Sequence, residues 1–291
     1  MHRRRTFLAL PVVFVLIPLV LGPFSAGAQG VSLKLFGVYG SIANGDIQDG
    51  LKGGGDFYRG IFDLAGWGIS GDFEHFDDVW EAGGDLVFYF SPVLGIGLGS
   101  GYMQTLPGKT RMTFSDPPLP DVVQSLDPQV TVIPVRASMY ASIPLGTALN
   151  ITLHGGVSYY FASMKYTWRL GTDTSWVQVA GNADGSGLGF HAGAGLEFNF
   201  SSNAALFVEA AGRMATLSGL TGESTLSTHL GSAPAHSGTV YYFKDSFGVL
   251  GTLPQIVISD TAPSGGGITD VREAELDLSG FSLRAGFRIR V

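Results

Sequence analysis

The chain has 291 residues, no cysteine and a formal net charge of −7. Lack of cysteine excludes a disulfide frame, a thiolate metal site and lipid attachment through a lipobox cysteine, and the acidic balance makes nucleic acid a poor partner. Charged residues are 14%, against ~25% in an ordinary soluble domain, and the 43 glycines are about twice the usual ~7% share.

The first segment is MHRRR, followed by a strongly apolar run from Thr6 to Phe24 and the small residues Ser25-Ala26-Gly27-Ala28. That three-part layout is a secretory signal peptide, with cleavage expected between Ala28 and Gln29. The run is short for an uncleaved membrane anchor. Arg4-Arg5-Thr6-Phe7-Leu8 is similar to a twin-arginine motif, but the apolar core fits the general secretory route better. The expected division is therefore a signal peptide at 1–28 and one β-barrel domain at 29–291.

From Val31 onward, apolar residues alternate with polar or small ones, the period of a strand with two different faces. VSLKLFGVYG (31–40) is the first such segment, with Leu33, Leu35 and Tyr39 on one face. EAGGDLVFYF (81–90) sets Leu86, Phe88 and Phe90 against Glu81, Asp85, Val87 and Tyr89. LGIGLGSGYMQ (94–104) sets Leu94, Ile96, Leu98 and Tyr102 against Gly95, Gly97, Gly99 and Gly101. The fourth to seventh segments are centred on Ile133–Ile143, Leu149–Phe161, Leu188–Phe200 and Leu206–Met214. The chain closes with FSLRAGFRIRV (281–291), one face apolar and the other bearing Arg284, Arg288 and Arg290.

Three connections are short, at Ser91-Pro92-Val93, Pro144-Leu145-Gly146 and Ser201-Ser202-Asn203. Four are expected to be long loops, roughly 41–80, 105–129, 165–187 and 218–275, far beyond the ~2–5 residues of ordinary hairpins. Short turns at one end and long loops at the other are the layout of an outer-membrane barrel. The apolar rows carry no Lys, Arg, Asp or Glu, and aromatics gather at both strand ends: Phe88, Phe90, Phe198 and Phe200 at one, Tyr39, Tyr102, Tyr159 and Phe161 at the other. Both features point the apolar rows at lipid, with two interfacial girdles. The opposite face then lines a narrow lumen. Asp85, Arg136, Glu197, Glu209, Arg213, Arg284 and Arg288 are expected to form a charge network there, since buried charges are costly unless paired.

On these segments the chain resembles the small eight-stranded outer-membrane barrels, the OmpA/OmpX-type and OmpW-like group. The resemblance implies an all-β, antiparallel, up-and-down barrel of eight transmembrane strands, with periplasmic turns, extracellular loops and both mature termini in the periplasm. It also implies insertion by the barrel-insertion machinery, contact with outer-membrane lipid and lipopolysaccharide, and a monomer. Barrels of this group usually end in an aromatic residue; this chain ends in Val291.

No cofactor, metal or catalytic residue is expected. His154, Ser158, His191 and Glu197 fall on the luminal face, whereas a lipid-modifying enzyme needs a His/Ser/acid set on the outer wall. His229 and His236 lie among loop serines. Asn182-Ala183-Asp184-Gly185-Ser186 and the trio Asp46, Asp49 and Asp56 lack the spacing of a calcium loop and read as solvated turns. Gly53-Gly54-Gly55 reads as a flexible loop, 56–70 as a weak amphipathic helix, and 238–243 as a strand extension or packed loop. The expected role is structural, anchoring or surface-binding, with a side-chain-filled lumen. The alternatives are an OmpW-like conduit for small apolar molecules, a lipid-modifying barrel enzyme and a soluble lipocalin-like carrier.

Overall fold

Each alternating segment is a strand in the computed structural model, which describes residues 30–73, 75–106, 108 and 110–291. The signal segment and its Ala28–Gln29 junction lie outside the described residues. In chain order the elements are β1 Gly30–Ser41, α1 Asp46–Leu64, β2 Gly68–Asp72, β3 Asp78–Tyr89, β4 Leu94–Thr105, β5 Thr110–Ser115, β6 Val122–Pro144, β7 Leu149–Gly171 and β8 Trp176–Asn199. They continue as β9 Ala204–Leu217, β10 Thr221–Thr228, β11 Gly231–Ser232, β12 His236–Ser246, a 3-10 turn Gly248–Leu250, β13 Thr252–Ser259, β14 Ile268–Glu273, β15 Leu276–Asp277 and β16 Gly280–Arg290.

Antiparallel pairing runs β1–β3–β4–β6–β7–β8–β9–β16 and returns to β1, which closes a ring of eight strands. The three short turns and the last residue of β16 share one end of this ring, here called proximal. Outward rows of the ring are apolar and exposed, including Leu35, Ile96, Leu98, Val135, Met139, Val157, Phe190, Leu196, Val208, Leu283 and Phe287.

The long loops expected at the distal end are largely strand. β6, β7 and β8 have 23, 23 and 24 residues, about twice the ~9–11 that span a bilayer. The expected loop 165–187 is the continuation of β7 and β8, joined by a turn at 172–175. Asn182–Ser186 accordingly lies in β8 rather than in a turn, and 238–243 lies in β12. The sequence reading stopped at these points because the face pattern inverts there. Outward on β7, Ile151, Leu153, Val157, Tyr159 and Phe161 give way to Ser163, Lys165, Thr167 and Arg169. Inward, Thr152, His154 and Ser158 give way to Tyr160, Ala162, Met164 and Tyr166. β6 inverts between Ile133 and Thr131, and β8 between Leu188 and Ser186. Below the inversion the apolar face is outside; above it the apolar face is inside, as in a water-soluble barrel.

The distal storey is a second eight-stranded sheet, ordered β2–β5–β6–β7–β8–β10–β12–β13, which shares β6, β7 and β8 with the ring. Among the described residues no ladder joins β13 to β2; α1 packs against both and seals the seam. Its interior is an apolar core that includes Ile47, Leu51, Leu126, Val130, Met164, Leu217, Leu220, Val240, Ile258 and Leu276.

The helix begins earlier than the sequence reading placed it, and Gly53-Gly54-Gly55 is helix interior rather than loop. Asp46 and Asp49 favour its start through the helix dipole, and Gly66, at φ 79, ends it in the left-handed conformation. The glycines are there for close approach. A Cβ on Gly50 would strike Ile256, one on Gly53 the carbonyl oxygen of Pro254, and one on Gly55 the ring of Phe73. Helix propensity is sacrificed so that α1 can lie directly on the β13 backbone.

Candidate functional site

The ring lumen is filled by charge. Lys34 of β1 reaches Glu209 of β9, Nζ to Oε1 2.5 Å, and Thr152 Oγ1 donates to the same oxygen at 3.2 Å. Arg136 of β6 meets Glu81, Nη1 to Oε1 2.5 Å, and approaches Asp85 with Nε at 3.5 Å. Arg284 of β16 pairs with Asp85 and has Nε 3.7 Å from Glu209 Oε2. Tyr140 donates its hydroxyl to Asp85 Oδ2 at 2.8 Å. Nearer the proximal end, Arg288 meets Glu197 at 3.2 Å and donates to Asn199 Oδ1 at 2.8 Å, while Asn150 donates to Glu197 at 3.0 Å. Phe36 lies under the Arg284 guanidinium at 3.4 Å, and Phe207 faces Lys34 at 4.1 Å. Lys34, Asp85, Glu197, Glu209, Arg284 and Arg288 are all buried.

Glycines clear the space for these side chains. A Cβ on Gly97 would meet the Tyr140 ring, on Gly99 the Asp85 carboxylate, on Gly101 the Glu81 carboxylate, and on Gly193 the His154 ring. The inward glycine row of β4 is therefore the negative of the charges opposite it.

Six of the seven network residues named from sequence thus make ion pairs, and Arg213 departs. Its Nε donates to Leu278 O at 2.7 Å and its Nη2 to Ser41 O at 3.0 Å, so it ties the β15–β16 connection to the end of β1 instead of meeting a carboxylate. Arg290, expected inward with its neighbours, is exposed at the proximal rim. Glu81 and Lys34 have full parts in the network; both alternate inward in the sequence, but only the register shows which charge each one reaches. His191 is held by two hydroxyls, Ser138 Oγ on Nε2 and Ser158 Oγ on Nδ1, each at 2.8 Å. Among the described residues no side-chain hydrogen bond joins His229 to the loop serines; Ser227 bonds Ser232 instead, at 2.8 Å.

A second polar cluster fastens the helix. Asp46, at the start of α1, accepts from Arg272 Nε at 3.1 Å and Nη2 at 2.7 Å, and from the Glu275 backbone N–H at 3.2 Å. Arg272 also donates to Asp270 at 2.5 Å, and Lys244 lies 3.0 Å from the other Asp270 oxygen. Hydrogen bonds from Arg272 and then Lys244 hold the Asp270 carboxyl below its ordinary range. Burial pushes the Tyr166 hydroxyl, inside the distal storey, up to about 12. A cleft of about 170 Å³ opens where β4 ends and β6 continues, lined by Thr105, Asp127, Pro128, Gln129, Lys165, Tyr166 and Thr167.

The chain matches the family described as outer membrane protein beta-barrel domain over residues 16–231, well over half its length. It belongs to the outer-membrane β-barrel family. The exposed apolar rows of the ring are therefore lipid-facing transmembrane strands, in the bacterial outer membrane. The soluble lipocalin arrangement, with those rows inward, is set aside. Among solved structures, this outer-membrane barrel is distantly similar to the outer membrane protein OprG from Pseudomonas aeruginosa, at 9% identity and a TM-score of 0.36 over 92% of this chain and 98% of that one. No curated protein matches it.

Proposed function

We propose that this outer-membrane barrel crosses the bilayer with eight strands, closes its lumen to diffusion, and acts through its distal storey as a structural or surface-binding protein. The observation that carries the reading is the filled lumen. Lys34, Phe36, Asp85, Tyr140, Phe207, Glu209 and Arg284 are buried across one section of the ring, and the apolar core under α1 stands above them. Small barrels are characteristically filled in this way. Short turns face the periplasm and the distal storey faces the exterior, the usual arrangement of such barrels. Both mature termini are then periplasmic, and the girdle of Tyr39, Trp80, Tyr102, Tyr159 and Phe161 sits in the outer leaflet against lipopolysaccharide. The chain is not an enzyme: His191 has both ring nitrogens occupied inside the lumen. It is monomeric and is inserted by the barrel-insertion machinery. Reconstitution in planar bilayers tests the closed lumen. No steady conductance is expected, and a stable open channel would overturn the reading. Heat-modifiable migration of the outer-membrane fraction is expected from a folded barrel.

A second reading, a conduit for small apolar molecules, draws support from the apolar inner wall of the distal storey and from the cleft beside Thr105 and Lys165. It requires uptake of an apolar solute into liposomes carrying the protein.

A further inference from the structure

The cleft of about 170 Å³ lies at a break in the barrel wall. The β4–β6 ladder ends at Gln104 and Thr131, and the β5–β6 ladder begins at Thr110 and Leu126. Between them, residues 127–130 of β6 have no strand partner on that side among the described residues. The break is written in the sequence. Ser142 N–H points to Val93, just before β4, and Val130 N–H points to Thr105, at its end. Antiparallel alternation turns Pro128 the same way. Proline has no N–H to donate, so the ladder cannot continue through it. The Thr105 hydroxyl meets Val130 N–H instead, at 2.9 Å.

Four of the lining residues point outward: Asp127 and Gln129 of β6, and Lys165 and Thr167 of β7. Gln129 stands opposite Lys165 and Asp127 opposite Thr167. The four form a square on the outer wall, with Asp127 and Lys165 on its diagonal, about 7–8 Å apart. Asp127 and Lys165 are exposed, and neither makes an ion pair among the described residues. Arg169, the next outward cation on β7, lies against the Trp176 ring at 4.8 Å. Asp184 of β8 is on the far side of Lys165, outside the cleft.

Opposite charges held apart on one diagonal complement a ligand that carries both signs. Lys165 supplies a cation, and the Gln129 amide and Thr167 hydroxyl supply neutral donors beside it, a set suited to the several oxygens of a phosphate. Asp127 supplies a carboxylate to an ammonium. At about 170 Å³ the cleft is smaller than the ~300 Å³ of ordinary small-molecule sites, so it holds a group rather than a large molecule. Its height narrows the source. Lys165 lies four residues beyond Phe161 of the girdle on the same outward row. At ~3.3 Å per residue and a tilt of ~40°, that is about 10 Å farther from the bilayer. The headgroup layer is only about 5–8 Å deep, so a glycerolipid headgroup falls short where the sugar portion of a glycolipid does not. We propose that Asp127, Gln129, Lys165 and Thr167 bind an ethanolamine-phosphate group on the sugar portion of an outer-leaflet glycolipid. The proposal rests on the reading that turns the distal storey to the exterior, and it names the partner of that surface.

The test titrates the full barrel, in maltoside micelles with uncharged headgroups, with ethanolamine phosphate. The readout is the amide resonances of residues 127–129 and 165–167. Saturable shifts are expected. Ethyl phosphate, which lacks the ammonium, and glycine, which lacks the phosphate, are each expected to bind about tenfold more weakly. Lys165→Gln is expected to weaken ethanolamine phosphate about tenfold, and Asp127→Asn to abolish its advantage over ethyl phosphate. Equal binding of ethanolamine phosphate and either control overturns the proposal, as does a variant that behaves as the unsubstituted protein. Should Lys165→Gln not fold, Thr167→Val is expected to weaken ethanolamine phosphate about threefold; equal affinity overturns the proposal. The source is tested in bicelles. Lipopolysaccharide bearing ethanolamine phosphate is expected to shift the same resonances, and lipopolysaccharide without that group, or phosphatidylethanolamine, to leave them in place. Equal shifts from phosphatidylethanolamine overturn the glycolipid assignment. A barrel that conducts yet prefers ethanolamine phosphate would sink the closed-lumen reading alone, and a closed barrel without that preference would sink this one alone.

Discussion

Glu209 stands where Lys34, Thr152, His154 and Arg284 converge, and all five side chains are buried in the lumen. Removing one partner of a buried ion pair leaves the other charge uncompensated, at about 3–5 kcal/mol. Glu209→Leu is therefore expected to lower the urea midpoint of the barrel in micelles by that order, with Lys34 the stranded charge. Lys34→Met combined with Glu209→Leu should recover most of the loss, since replacing both charges with apolar groups is often close to neutral. A double variant no more stable than Glu209→Leu alone would show that the pair is not the coupled unit. Alternation in the sequence was enough to put both residues inside. It could not pair them, because β16 lies between β1 and β9 in the ring, and reach across a strand depends on shear and rotamer rather than on sequence spacing. Arg213 shows the same limit: its parity is inward, but its partners are backbone carbonyl oxygens, of Leu278 in the β15–β16 connection and of Ser41 at the end of β1, and no side-chain pattern announces a carbonyl partner.

At the scale of elements, β7 was half legible. Its segment Leu149–Phe161 follows the lipid rule, whereas Ser163–Arg169 obeys the opposite rule and was read as loop. The distal half of β6 was missed for the same reason: beyond the inversion the apolar parity passes from Ile133 and Val135 to Val132, Val130 and Leu126. A phase change without intervening turn residues was the signal available. The inversion makes a paired prediction on one strand. Val157→Arg faces lipid and should cost ~2–4 kcal/mol if near the midplane, while Thr167→Arg, also outward but beyond the inversion, should change stability by less than about 0.5 kcal/mol. Equal losses for the two in urea titrations would refute the two-storey division. The helix supplies a second contrast. Gly-to-Ala in a helix interior ordinarily gains about 1 kcal/mol. Gly54→Ala meets only Gln255 Oε1 at 3.7 Å and should realise that gain. Gly53→Ala drives a methyl into the Pro254 carbonyl and should lower the thermal midpoint instead. The sequence showed three glycines and suggested a flexible loop, because a helix that needs bare backbone for docking is indistinguishable from a weak helix until its partner strand is known.

At the scale of the whole molecule, two barrels of opposite polarity share three strands, and they are held in different ways. The ring is closed by ladders throughout, but the distal storey is closed on one seam by α1, whose first turn is fastened to β14 through Asp46, Arg272 and Asp270. That seam should be the part of the distal storey that opens first, since local opening follows the elements with the least buried and most solvent-exposed bonding. It should also respond to acid. The folded Asp270 carboxyl is depressed below its unfolded value by Arg272 and Lys244. Its contribution is therefore fully present above the unfolded value of ~3.9 and disappears as pH falls through the folded one. Protection factors for 268–273 and the first turn of α1 should hold down to about pH 4 and fall below it, relative to those of the ring portion of β7. Asp270→Asn, which cannot titrate, should remove that difference and leave the seam less protected at pH 6. If the seam's protection tracked that of β7 across the whole range, the clasp would contribute nothing to closure and α1 would be held by its glycine face alone.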